Sequence, residues 1–293
     1  MLAEGFSVAL PTETVYGLAA DALSPGACAR IFEAKERPLS DPLIVHIPSL
    51  DWLDRLVVAS PLALTLAEKF WPGPLTLVLP RKTMVPDIVT AGQETVAVRM
   101  SSHPIFQKVV QNFAKPLAAP SANRFGRISP TTASHVLSEL EGRIGLILDG
   151  GPCAHGIEST IVHVVDDRLQ ILRPGPITED DLRIFANVFH GPAGVAAPGG
   201  LMSHYAPRTK LVIEENPTPH GPRSGLLSWT RSGTGFYQTE FLSHSKNLQE
   251  AATRLYGAMR RLDEAGLDLI IAEALPESGI GVAIMERLRK AAA

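Results

Sequence analysis

Lys35 and Arg37 stand two residues apart in the run KERPLSDP (35–42), immediately before Pro38. On a continuing helix the pair would not share a face. Pro38 takes the chain out of helix at about Arg37, so both cations can turn from the helix end into one pocket and clamp phosphate oxygens. The competing reading is that they only complement the negative end of the helix dipole. The run PTETVYG (11–17) sets hydroxyls and a carboxylate directly after an apolar stretch, with Gly17 for a tight turn. That composition makes a small polar ligand shelf or a plain turn network. Ser121 and Asn123, in APSAN (119–123), would point the same way from an extended segment and hydrogen-bond a substrate without carrying charge. A second loop, Asp149-Gly-Gly-Pro followed by GIEST (156–160), offers backbone N–H groups to an anion or is only an irregular turn. Arg99 near the end of an apolar run, RPG (173–175) and a solitary Tyr205 complete the polar islands.

Several standard chemistries are excluded. There is no GxxxxGK[ST] phosphate loop, no HExxH, no GxGxxG after a strand and no GxSxG elbow. Cys28 and Cys153 are the two cysteines and form no CxxC, which argues against a disulfide framework or a cysteine-built zinc site and fits a reducing cytoplasm.

The elements that must hold these residues alternate in type. Short apolar, partly β-branched runs at 6–10, 43–47, 75–79, 96–100, 117–119, 144–148 and 161–165 predict strands. Helices are predicted over 25–35, 104–114 and 130–140, each with a proline near its start, where the missing N–H costs nothing. Strands interleaved with helices indicate an α/β layer. The segment HGPAGVAAPGG (190–200) has little periodicity and reads as a linker. Beyond it, strands at 210–213, 225–229 and 268–272 and helices at 248–265 and 281–292 repeat the pattern on a smaller scale. Ala252, Leu255, Met259 and Leu262 give the first of those helices an apolar stripe. The expected organisation is a first domain over 1–189, a linker over 190–208 and a small domain over 209–293.

A length of 293 residues accommodates that division, and 45% hydrophobic residues against 19% charged fits globular cores. The net charge is −3, divided as −4 over 1–190 and +1 over 191–293, which weighs against a broad nucleic-acid surface. No apolar run approaches the roughly 18 residues of a membrane span, and the first residues do not read as a secretory signal.

The order of eight motifs is more specific than any one of them. PTETVYGL (11–18), KERPLSDPLIVH (35–46), WPGPLTLVL (71–79), VAVRMSSHP (96–104), APSANRFGRISPTT (119–132), GIESTIV (156–162), RPG (173–175) and SHYAP (203–207) together resemble the threonylcarbamoyl-AMP synthases in their longer, two-domain form. The tail, NLQEAATRLYGAMRRLDEAG (247–266) and GIGVAIMERLRKAA (279–292), resembles that family's extra C-terminal domain. The resemblance implies an α/β fold, a twisted open mixed sheet with helices of YrdC-like type, followed by a small Rossmann-like α/β domain. It implies that L-threonine, bicarbonate and ATP give threonylcarbamoyl-AMP and pyrophosphate, toward N6-threonylcarbamoyladenosine in tRNA reading ANN codons.

By the same resemblance Lys35, Arg37, Ser121 and Asn123 form the catalytic set. Thr14, His46, Arg99, Ser121 and Ser159 would surround threonine, with Arg99 facing its carboxylate. Lys35, Arg37, Asp41, Asn123, Thr131, Arg173 and Tyr205 would surround ATP, Tyr205 reaching back from the linker as a cover. Mg²⁺ is expected with ATP, held mostly by phosphate and water. The product would pass to the tRNA threonylcarbamoyl-transferase machinery in the cytoplasm, without a membrane or stable nucleic-acid contact. Three positions depart from the family pattern: Asp41 stands where Asn is frequent, Ser101 where Pro is frequent, and the chain begins nearly at the first strand, where a helix usually precedes. Two other functions use a similar domain. A double-stranded-RNA-binding module is disfavoured by the net −3 charge, and carbamoyl-adenylate formation in hydrogenase maturation goes with additional zinc-finger cysteines.

Overall fold

The computed structural model describes residues 1–191, 194–195, 197–199 and 204–293. Much of the predicted linker core, together with Ser203 of SHYAP, lies outside the described residues. In chain order the first part forms β1 (Val8–Leu10), β2 (Gly17–Asp21), β3 (Ile44–His46), β4 (Leu75–Pro80), β5 (Thr95–Arg99), β6 (Leu117–Ala118), β7 (Thr160–Val165), β8 (Arg168–Arg173) and β9 (Asn187–Phe189). Its helices are α1 (Pro25–Lys35), α2 (Leu53–Leu56), α3 (Pro61–Phe70), α4 (Asp87–Thr90), α5 (Pro104–Phe113), α6 (Ala133–Leu140) and α7 (Glu179–Arg183). The strands make one mixed sheet in the order β1-β2-β6-β3-β5-β4-β7-β8-β9.

Register decides where the polar residues meet. β3 and β5 are parallel with His46 opposite Arg99, so both side chains leave the same end of the sheet. β4 runs antiparallel to β5 and brings Thr76, near its start, opposite Arg99. β8 runs antiparallel to β7 and ends with Arg173 opposite Ile161, beside Ser159 and Thr160. One end of the sheet therefore collects strand ends and strand starts from five consecutive strands.

Helix α1 forms where the sequence places it. The Ser24 side chain accepts from Ala27 N–H, Pro25 takes the first turn, and Cys28, Ile31 and Phe32 are buried. The helix ends because Glu36 adopts a left-handed φ of 54° two residues before Pro38. Two expectations are corrected. Residues 144–148 are not a strand; they make a single bridge, Ala9 to Ile147, because of the three residues of β1 only Ala9 turns its N–H and C=O to that side, to the Leu146 carbonyl and the Leu148 N–H. The helix expected over 130–140 starts at Ala133, with Thr132 as its cap, since the Pro130 carbonyl accepts from Tyr16 N–H outside any helix.

The second part carries β10 (Leu211–Glu214), β11 (Ser224–Ser228), β12 (Gln238–Phe241), β13 (Leu269–Glu273), α8 (Leu248–Glu264) and α9 (Gly281–Ala291). Its strands are all parallel in the order β10-β13-β11-β12, a Rossmann-like arrangement. Ile270, Ile271 and Ala272 are all buried, as a sheet covered on both faces requires. The loop after β11 turns the N–H groups of Trp229, Thr230 and Arg231 onto Glu273 Oε2 at 2.8, 3.1 and 3.3 Å. That is an anion nest, filled by the chain's own carboxylate.

Helices α8 and α9 pack this second part against the first. Val15, Ile128 and Ile157 join Leu255, Tyr256 and Met259 in one apolar cluster that also holds Tyr205. Around it, Arg260 Nη1 lies 3.1 Å from Glu139 and Thr253 Oγ1 donates to the Ala154 carbonyl at 3.0 Å. Among the described residues no helix is long and apolar enough to cross a membrane, and Cys28 and Cys153 are both free and buried.

Candidate functional site

A small cavity lies at the end of the sheet described above. Its wall includes Thr14, Arg37, His46, Arg99, Ser121, Arg173 and Tyr205, seven of the residues singled out from sequence. Thr12, Glu158 and His204 also line it. Its volume is about 40 Å³, room for about three waters at roughly 10–15 Å³ each.

Each guanidinium on the wall is held before any ligand arrives. Arg99 Nη2 donates to Glu13 Oε1 at 2.7 Å and Nε to the Gly73 carbonyl at 3.3 Å. Ser101 also donates to Glu13. Burial opposes ionisation of Glu13, but the Arg99 charge and these hydrogen bonds prevail and hold its pKa at about 2. Arg37 donates to the Asp41 and Pro42 carbonyls at 3.0 and 2.7 Å, and its Nη2 lies 3.0 Å from Asp41 Oδ2. Burial outweighs the nearby cations at Asp41 and raises its pKa. Arg173 donates to the Ser159 carbonyl and hydroxyl at 3.1 and 3.0 Å and to the Pro198 carbonyl at 3.2 Å. Among the described residues its hydrogen-bond partners are neutral oxygens, which leaves its charge the most available of the three.

Two histidines on the wall are neutral. Burial, reinforced for His46 by Arg99, pushes both His46 and His204 down to about 3. His46 Nδ1 is buried without a hydrogen-bond partner among the described residues, as is the Tyr205 hydroxyl. Tyr205 itself has a left-handed φ of 63° and stacks on Tyr256 with centroids 5.8 Å apart. The linker thus closes the cavity with His204 and Tyr205 while its Gly199 hydrogen-bonds Asp41.

Five sequence-derived residues lie behind the wall rather than on it. Lys35 Nζ donates to the Ser121 and Asn123 carbonyls at 2.6 and 2.5 Å, so the helix end delivers one cation to the cavity and the other to the backbone of the next loop. Burial, with Arg37 nearby, pushes the Lys35 pKa well down. The Asn123 amide turns to the Arg124 and Arg127 carbonyls at 2.7 and 2.9 Å instead of sharing Ser121's direction. Asp41 serves Arg37, and Ser159 Oγ contacts Thr76 Oγ1 at 2.8 Å and Arg173. Thr131 contacts His135 Nδ1 at 3.3 Å. Sequence reasoning counted the Glu13 carboxylate in a ligand shelf but not as the partner of Arg99, and it did not single out Glu158 or His204. A carboxylate inside the hydroxyl-rich PTET turn, and another before Ser159, were the available signals.

Comparison with known proteins places this architecture. A family model described as telomere recombination matches residues 1–175, and one described as threonylcarbamoyl-AMP synthase, C-terminal domain, matches residues 174–293. The threonylcarbamoyl-AMP synthase of Bacillus subtilis is 42% identical, over 100% of this chain and 91% of that one. The synthase of Pyrococcus abyssi is 41% identical, over 98% and 91%. The crystal structure of P. abyssi Sua5 complexed with L-threonine superposes with a TM-score of 0.91 at 39% identity, covering 99% of this chain and 92% of that one.

Proposed function

The chain belongs to the threonylcarbamoyl-AMP synthase family, and from that premise we propose that it makes L-threonylcarbamoyladenylate from L-threonine, bicarbonate and ATP. The observation that carries the reading is the convergence of Arg37, Arg99 and Arg173 with Thr14 and Ser121 on one cavity. In this reading the threonine carboxylate meets Arg99, and the neutral His46 offers Nδ1 as an acceptor to the amine or hydroxyl. The amine bonds to the carbon of bicarbonate with loss of water. An oxygen of the resulting carbamate then attacks the α-phosphorus, and the bond to the β-phosphate oxygen breaks to release pyrophosphate. Arg37 and Arg173 neutralise the charge on phosphate, Lys35 ties the end of α1 to the Ser121 and Asn123 carbonyls, and Asn123 and Ser159 hold the loop and guanidinium in place.

A cavity of about 40 Å³ is far below the roughly 300–1,000 Å³ of ordinary ligand pockets. Substrates therefore enter by displacing the linker residues Pro198, Gly199, His204 and Tyr205, and phosphate takes over the Arg173 N–H now given to Pro198. Reclosure excludes water from an adenylate that would hydrolyse readily. Mg²⁺ accompanies ATP in this proposal. In this reading the ion is held mostly by triphosphate and water oxygens. The product serves N6-threonylcarbamoyladenosine formation in tRNA through a separate transferase.

The test is pyrophosphate release with threonine, bicarbonate and ATP, then with each omitted in turn. Release that persists without threonine would overturn the substrate assignment. Tight, salt-sensitive RNA binding without ATP turnover would favour a double-stranded-RNA-binding module instead.

A further inference from the structure

We infer that Arg287, on α9 of the second domain, is a positioning residue that holds three separate parts of the candidate site in place from outside it. The inference rests on the function proposed above for that site. Arg287 is fully buried and does not line the cavity. Its Nε lies 2.8 Å from Glu158 Oε2, its Nη2 donates to the Pro174 carbonyl at 3.0 Å, and its Cζ lies 5.2 Å from the centre of the Tyr205 ring. Nη1 is taken by Glu286.

Each of those contacts is at, or one residue away from, a residue on the cavity wall. Glu158 precedes Ser159, whose carbonyl and hydroxyl hold Arg173. Pro174 follows Arg173 directly. Tyr205 is the linker's aromatic cover. Glu158 is fixed a second time by Tyr256 of α8, whose hydroxyl lies 2.9 Å from Oε2 and 3.1 Å from Oε1. A planar guanidinium presents its donors in a rigid fork and an apolar face besides, so one side chain can set the spacing of three elements at once. A lysine ammonium is a point charge and cannot reproduce that geometry. An ordinary interdomain ion pair would need only the carboxylate; here the carbonyl and the ring are engaged as well.

The consequence is kinetic. With the three elements loosened, the binding-competent arrangement is occupied only part of the time, and apparent affinity falls by that fraction while saturating substrate restores the site. Arg287→Lys is therefore expected to raise KM for both threonine and ATP by about 10-fold with kcat within about 3-fold of wild type. Loss of folded protein alone would do the reverse, lowering kcat at unchanged KM. Glu158→Gln, which keeps the side-chain size, is expected to shift KM in the same direction and covers the case in which the Arg287 variant folds poorly.

A second readout needs no activity. Amide hydrogen exchange in the full-length Arg287→Lys protein is expected to rise at residues 156–160, 173–175 and 204–206 together, with β4 and β5 unchanged. Exchange confined to α9, or an unchanged KM with reduced kcat, would overturn the inference. If wild type itself releases pyrophosphate without threonine, the reading of the site falls, yet exchange at the three segments still decides for or against Arg287.

Discussion

Arg99 Nη2 and Glu13 Oε1 lie 2.7 Å apart with both side chains buried, so the cation on the proposed threonine side is already balanced before substrate arrives. Removing one partner of a buried pair strands the other, at a cost of about 3–5 kcal/mol. Glu13→Ala is expected to lose about that much stability in urea unfolding. In a double-mutant cycle, Glu13→Ala and Arg99→Met should be less than additive by about 1 kcal/mol or more. Additive losses would show that the pair is not coupled.

Lys35 joins the end of α1 to two carbonyls of the Ser121–Asn123 loop. Lys35→Met leaves both carbonyls without their donor, each worth about 1–3 kcal/mol when buried, and unties the helix end that carries Arg37. Pyrophosphate release is expected to fall by about 100-fold or more while circular dichroism stays that of a folded protein. Near-normal turnover would remove Lys35 from the machinery.

The neutral histidines give stability a pH dependence of definite sign. His46 and His204 have pKa values of about 3 in the folded chain against roughly 6.5 unfolded. Between those limits the unfolded chain binds more protons, so stability is full above about pH 6.5 and falls as pH drops, by about 1.4 kcal/mol per pH unit for each group. Urea midpoints measured from pH 7.5 to 5 should decline below about 6.5, and His46→Gln should flatten the decline. A pH-independent midpoint would contradict the buried, neutral state.

Gly156 has a φ of 72°, and a Cβ there would sit 2.4 Å from Thr253 Cα on α8. Backbone that close cannot yield by rotating a side chain. Gly156→Ala is expected to push α8 off the GIEST loop, lower stability by about 2 kcal/mol or more, and speed proteolysis between the two domains. Wild-type resistance to protease would refute so tight a contact.

Local chemistry wrote α1 into the sequence, because Ser24, Pro25 and the Cys28–Ile31–Phe32 face all act within one helix. Strand β2 was not read, since GLAAD carries little strand preference and follows directly on the PTETVY turn. Strand β9 and the bridge at Ile147 depend on partners elsewhere in the sheet. The same division holds at the site. Motif order located Thr14, Arg37, His46, Arg99, Ser121, Arg173 and Tyr205 on one wall. It did not reveal that Lys35 turns to a backbone 86 residues away, or that Glu158 answers to Arg287 across 129 residues. Those pairings are products of the sheet order and of domain packing, which no local pattern encodes.

The seat after β11 is filled by a carboxylate of the second domain itself. Parallel sheets of this kind commonly take a phosphate where a loop's N–H groups converge beyond a strand end. Here Glu273 occupies those donors from within, and Ser228 and Arg231 complete its shell. An arriving anion would meet a fixed negative charge instead of free N–H groups. In the proposed function the nucleotide goes to the cavity of the first domain, while these donors of the second domain's sheet are already occupied by Glu273.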